Sequence, residues 1–145
     1  MKKLMMSAMI LACSVSGVVI AQDLKAKDVP ATVKTALAKK YPESAKFKVS
    51  WEKEKGNFEA NWGGKSGEDN SATFTQAAVF VELVQAIPVS QLPAAVAPYV
   101  KQHYKGAKIK EAGKVTDAAG KHMFEAEIKG KDLIFDEKGN FIKED

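Results

Sequence analysis

Glu125 and Glu127 are the residues whose type and spacing come nearest to chemistry. They alternate with Phe124, Ala126 and Ile128. On a strand both carboxylates would therefore stand on one face, ~7 Å apart at a rise of ~3.4 Å per residue. That separation resembles the paired acids of a carboxylate-dependent hydrolase. Alternating glutamates are also what a solvated strand face contains for no catalytic reason, and that is the preferred reading. His122 has the opposite parity, so it cannot join the two glutamates on a metal without a bulge between them. His103 falls on the polar side of a helical stripe, where a solvated imidazole is expected. Asp136-Glu137-Lys138-Gly139-Asn140 lacks the ligand spacing of a calcium loop and reads as a turn. No serine sits in a Gly-x-Ser-x-Gly setting, and no glycine-rich phosphate loop is present. No catalytic residue, metal site or cofactor is assigned.

The elements that would position these residues are written twice. Val29, Val33, Leu37 and Tyr41 recur every fourth position, and Leu92, Val96, Val100 and Tyr104 repeat the pattern at a constant shift of 63 residues. Each set is one stripe of an amphipathic helix. The shift implies a tandem duplication of a helix plus whatever follows it.

In the first repeat, Pro30 suits the first turn of the helix, Asp28 can cap it, and Pro42 stops it after Tyr41. Asp23 to Lys27 before it is expected to be a flexible lead-in. A strand over Ala45–Glu54 would turn Phe47, Val49 and Trp51 inward, and Lys55-Gly56-Asn57 would return the chain into a strand carrying Phe58, Ala60 and Trp62. Gly63 to Asn70 is a polar loop. Strands over Ser71–Thr75 and Val79–Ile87 complete the repeat. In the second repeat Pro98 is a tension, since an interior proline costs about 3 kcal/mol; a kink there, or a helix that starts there, is expected. A strand over Ala107–Thr116 follows, with a bulge suggested by Gly113. Three more strands carry Phe124, Phe135 and Phe141. Phe74 to Phe80 and Phe135 to Phe141 have equal spacing.

A repeat of about 60 residues is marginal alone. The fold class expected is therefore α+β: a tandem duplication of helix plus about four antiparallel strands. Its two helices would pack on one face of an antiparallel sheet of about eight strands, and its polar face would look at water. The organisation expected is a leader over 1–21 and a single domain over 22–145, made of repeats 28–87 and 90–145.

The leader reading rests on Met1-Lys2-Lys3, an apolar run from Leu4 to Ile20, and small residues before a cleavage expected after Ala21, with no basic stop-transfer cluster beyond. The only cysteine, Cys13, lies inside this run. Apolar sequence continues past it, which favours ordinary cleavage over a lipid anchor at Cys13. The protein is thus expected outside the cytoplasm, without disulfides. The net charge of +4 includes Lys2 and Lys3; without them 20 Lys face 18 acidic residues, a net +2. There is no Arg, and the Lys are interspersed with Asp and Glu, which argues against nucleic-acid binding.

Val29-Pro30, Lys40-Tyr41-Pro42, Trp51-Glu52, Leu92-Pro93 and the hairpin from Asp136 to Phe141, behind a secretory leader, resemble the PepSY-like family of small periplasmic proteins. That family shares the fold of the β-lactamase-inhibitor protein and is common in Bacteroidetes. The first repeat departs from its pattern where Thr75-Gln76-Ala77-Ala78-Val79 replaces an Asp/Gly turn. The resemblance implies a non-enzymatic protein in the periplasm or secreted, binding and inhibiting a secreted peptidase or β-lactamase. By analogy its polar sheet face would dock the partner, lined by Lys46, Lys48, Glu52, Glu59, Asn61, Glu125 and Glu127. The Gly63–Asn70 loop is a second contact candidate. The alternatives are a periplasmic small-ligand or metal-binding protein, or the carboxylate hydrolase above.

Overall fold

Proline placement decides where the first helix begins and ends and bears on where the second begins. In the computed structural model, which describes residues 21–145, helix α1 spans Ala31–Lys40 with Pro30 as its N-cap. The Pro30 carbonyl accepts from the amides of Val33 and Lys34. Asp28 provides no cap; it closes a short 3-10 turn over Ala26–Asp28. Helix α1 stops one residue before Tyr41-Pro42, because a residue preceding proline is driven out of helical backbone. Tyr41 leaves at φ −130°, ψ 70°, its N–H still bonded to the Leu37 carbonyl. Helix α2 spans Val96–His103 and ends the same way, with Tyr104 at φ −125°, ψ 72° and its N–H on Val100. Pro98 is its third residue. There its missing N–H has no helical partner to lose, so the tension resolves as a late start.

The chain divides into two compact units, one running through Leu83 and the other from Val84. In the first, strands β1 (Gln22–Leu24), β2 (Ser50–Glu54), β3 (Asn57–Trp62), β4 (Asn70–Phe74) and β5 (Phe80–Ile87, which runs past the division) follow one another in space as in sequence. Val33 and Leu37 of α1 pack with Val29, Trp51, Phe58, Ala60, Trp62, Ala72, Phe74 and Leu83. Each fully buried aliphatic side chain of this kind contributes about 1.5–3 kcal/mol. Around the rim, Tyr41 lies 5.6 Å from Trp62 and 5.9 Å from Phe80 between ring centroids.

Three expectations need correction in this unit. Gln22–Leu24 is not a loose lead-in but a strand, with Asp23 opposite Glu52 and Leu24 opposite Trp51. The strand expected over Ala45–Glu54 begins only at Ser50, because Pro42 opens a 3-10 turn over Pro42–Lys46 that consumes the preceding residues. Phe47 therefore lies outside the pleat and is 48% exposed instead of inward. Finally, Val79 belongs to an exposed turn rather than to β5.

In the second unit, β6 (Glu111–Asp117), β7 (His122–Ile128), β8 (Lys131–Asp136) and β9 (Phe141–Glu144) are again antiparallel neighbours in chain order. Val96 and Val100 of α2 pack with Ala126, Ile128, Leu133 and Phe135. Gly113 makes no bulge: the β6–β7 register runs through it unbroken, and the irregularity falls between Ile134 and Phe135 against β9. Phe135 and Phe141 meet edge to face at 5.8 Å, as do Phe74 and Phe80 in the first unit.

The turn from Thr75 to Val79 has the hydrogen bonding of the Asp117–Lys121 and Asp136–Asn140 turns. In each, the first residue donates its N–H to the fifth carbonyl and accepts from the fourth amide. Thr75 Oγ1 takes the role of the aspartate Oδ1, accepting from the fifth amide. Ala78 sits at φ 62° where the other two turns place Gly120 and Gly139. Replacing an Asp/Gly turn thus preserves its geometry but forces an alanine into left-handed backbone.

The described residues are α+β, with two α-helices and nine antiparallel strands; the strand beyond the expected eight is β1. No helix among the described residues is long and apolar enough to cross a membrane. Apart from Ala21, the expected leader, with Cys13, lies outside the described residues.

Candidate functional site

The seven residues expected to line a wet sheet face do not share one environment. Lys46 closes the 3-10 turn and Lys48 lies between it and β2, both exposed. Glu52 on β2 and Glu127 on β7 are half-buried. Glu59 and Asn61 on β3 are only 4% and 6% exposed, and Glu125 on β7 only 4%. For those three the expectation of a water-facing side chain is wrong. Alternation tells which side of a strand a residue occupies, not whether that side is wet. Glu59 is flanked across the ladder by Glu52 on β2 and Thr73 on β4, and Asn61 by Ser50 and Ser71. Ser71 and Thr73 are buried with them. A strand with neighbours on both sides has its short polar side chains enclosed by theirs.

Burial sets the chemistry of Glu59. Loss of solvation pushes its carboxyl up to about 8; hydrogen bonds from Ser71 and Asn61 pull it down, and the charges of Glu52 and Glu54 push it further up. Glu59 is consequently mostly neutral at pH 7 and can donate a hydrogen bond. Beside it on β3, the Asn57 amide nitrogen is buried with no hydrogen-bond partner among the described residues. A raised carboxyl is the state a general acid needs, but one so enclosed offers no contact to a substrate. Among the described residues no three His, Asp or Glu side chains converge as metal ligands would.

A different place on the first unit is open. Phe47, Lys48, Ser50, Gly63, Gly64, Lys65, Ser66 and Gly67 line a groove of about 330 Å³. Phe47, Lys48 and Ser50, which follow the 3-10 turn, form one wall. The loop joining β3 to β4 forms the other, and its backbone requires glycine: Gly63, Gly64 and Gly67 have φ of 87°, 66° and 79°. At Gly64 a Cβ would fall 2.1 Å from the Asp69 Oδ1, so the aspartate occupies the space a side chain would need. The Asp69 amide donates to the Gly63 carbonyl at 3.3 Å, and the Asn70 amide group to the Trp62 carbonyl at 3.4 Å, which pins the loop to the end of β3. Of the expected contact residues, Lys48 and the Gly63–Asn70 loop are brought together here. Phe47, Ser50, Lys65 and Ser66 were not anticipated as a group. The Gly63-Gly64 pair was the available signal for the loop; nothing in the strand-like alternation of residues 45–54 marked Phe47 as exposed.

In the second unit the reactive-looking residues are spent on structure. The His103 ring, exposed as expected, stacks on Tyr99 at 4.2 Å, and Tyr99 stacks on Phe141 at 4.9 Å. His122 Nδ1 lies 3.0 Å from Thr116 Oγ1. Tyr104 donates its hydroxyl to Glu144 at 2.7 Å, and Lys131 donates to the other oxygen of that carboxylate. The bond to Glu144 pushes the Tyr104 phenol up to about 12, and the Lys131 and Tyr104 donors hold Glu144 below its ordinary range. Asp136 is lowered chiefly by the side-chain and backbone donors of Asn140, as expected of a turn-forming aspartate.

Helices packed on antiparallel hairpins, with polar strand residues enclosed and one open groove on the first unit, define an α+β protein. The family described as "Putative beta-lactamase-inhibitor-like, PepSY-like" matches residues 19–63 and 65–143, and the chain belongs to it. No curated protein matches the sequence. Among solved structures, the fold is similar to that of a Bacteroides eggerthii protein described as "putative periplasmic", at 20% identity and TM-score 0.64 over 81% of this chain and 88% of that one. A DUF2874 family protein of Bacteroides uniformis is similar at 21% identity and TM-score 0.64, over 80% and 88%. A BLIP-like protein of Bacteroides fragilis is similar at 19% identity and TM-score 0.57, over 80% and 84%.

Proposed function

We propose that the protein is an exported, non-enzymatic binding protein that holds another envelope or secreted protein, in the manner the inhibitor-like family description suggests. Removal of residues 1–21 leaves Gln22 to begin β1 directly. Residues 22–145 are one ancestral module present twice, over 28–87 and 90–145. That reading is supported by the matched tyrosine exits of α1 and α2 and the matched phenylalanine pairs. The periplasmic description of the B. eggerthii relative supports the same address for this chain.

The observation that carries the binding role is the groove on the first unit, where a half-exposed Phe47 stands beside Lys48 and Lys65. An exposed aromatic ring beside two lysines offers a partner both apolar area and positive charge. Lys46 and Lys48 act at the groove's rim, Glu52 and Glu127 are half-buried on their strands, and buried Glu59, Asn61 and Glu125 maintain the sheet rather than touch the partner. The test is capture from a periplasmic extract by the immobilised protein. A partner should be retained at low salt, released as salt rises, and lost with Phe47→Ser/Lys48→Glu. A captured set unchanged by salt and by that double substitution, or no capture at all, would overturn this reading.

A further inference from the structure

We infer that the groove between residues 47–50 and the 63–67 loop takes the free C-terminal carboxylate of a partner's chain, with the last side chain of that chain apolar. The inference rests on the binding role proposed above and names what is recognised. Lys48 and Lys65 come from separate stretches of sequence, line the same groove, and have no ion-pair partner among the described residues. Ser50 and Ser66 add hydroxyl donors, and at Gly67 no atom lies within 4 Å of where a Cβ would stand, so the backbone there is open to a ligand. Capture of a chain-end carboxylate by open backbone and a nearby cation is an established mode of peptide recognition.

Two features select the carboxylate of a peptide over other anions. Lysine is a point charge without the planar fork that matches phosphate in two bonds. Phe47 then supplies an apolar wall that a bare inorganic ion would leave uncovered. The volume of about 330 Å³ is at the small end of ligand sites, room for one or two terminal residues and not for a folded surface.

The test is titration of the isotope-labelled protein, followed by amide NMR, with acetyl-Ala-Ala-Leu-Phe bearing a free carboxylate, with its C-terminal amide, and with inorganic phosphate. The free acid should shift the amides of residues 63–67 and bind about tenfold more tightly than the amide form, the factor expected for one charge-assisted contact. Lys48→Gln and Lys65→Gln should each weaken it by a similar factor. Phe47→Ala should weaken this peptide but not one ending in Gly. All three positions are exposed, so retained spectral dispersion will verify the fold of each variant. Equal binding of acid and amide, equal or tighter binding of phosphate at the same amides, or no shift there at roughly 1 mM peptide would overturn the inference. If a partner is captured from the extract through Phe47 and Lys48 but the free-acid peptide does not displace it, this inference falls while the binding role stands.

Discussion

Titration of Glu59 should couple the stability of the first unit to pH in the direction opposite to ordinary acid denaturation. Its carboxyl stands at about 8 in the folded chain against 4.5 for an unperturbed glutamate, so the folded state favours the neutral form. Stability from that neutral form is fully present below about pH 4.5, declines as pH rises above it, and is fully lost once pH passes about 8. At about 1.4 kcal/mol per pH unit, the total loss is on the order of 5 kcal/mol, of which about 3 kcal/mol is already lost at pH 7. Glu59→Gln keeps a neutral amide of similar shape beside Ser71 and Asn61 and removes the titration. The variant should therefore be more stable than the parent by about 3 kcal/mol at pH 7 and by about 5 kcal/mol at pH 9, yet within about 1 kcal/mol of it at pH 4. Urea denaturation of both proteins at each pH measures this. The difference between them cancels groups common to both, including Asp136 and Glu144, whose lowered carboxyls act in the opposite sense. A difference flat to within about 0.5 kcal/mol from pH 4 to 9 would refute the burial argument.

Ala78→Gly should stabilise the protein by roughly 0.5–1 kcal/mol, the cost of left-handed alanine less the added freedom of glycine in the unfolded chain; a rise in the urea midpoint without a change in slope checks it. Glu144→Gln should return Tyr104 from about 12 toward about 10, read by ultraviolet titration of the phenol, because the carboxylate that accepts its proton would no longer be charged; an unchanged titration would show that the bond does not persist in solution.

Much of the local structure was readable from residue types, because it depends on neighbours a few positions apart. Pro42 ending α1, the stripes that bury Val33, Leu37, Val96 and Val100, and the Asp136–Asn140 turn all follow from backbone sterics and helical or turn periodicity. The misreadings have a common physical origin. Ala45–Glu54 alternates like a strand, but Pro42 also permits a 3-10 turn. Gln22–Leu24 is polar like a frayed end, yet becomes ordered because β2 offers it a ladder. The Thr75–Val79 stretch departs from the Asp/Gly pattern, yet a threonine hydroxyl and one strained alanine reproduce its hydrogen bonds.

The same division holds for the candidate site. Glu59, Asn61 and Glu125 were placed on the correct strands and wrongly in water, since solvent exclusion depends on strands β2 and β4, or β6 and β8, that lie elsewhere in sequence. The groove was half visible: its glycine pair and Lys48 stood out, while Phe47 could be recognised as exposed only once the chain before β2 had been traced. Sequence alone determined what short-range sterics determine: where helices start and stop, which residues form the apolar stripes, and which strands follow. Tertiary structure decided which polar groups lose their water, what that does to the acidity of Glu59, and that an aromatic ring and two distant lysines share one groove, because solvation and charge are properties of the space around a side chain and not of its position along the chain.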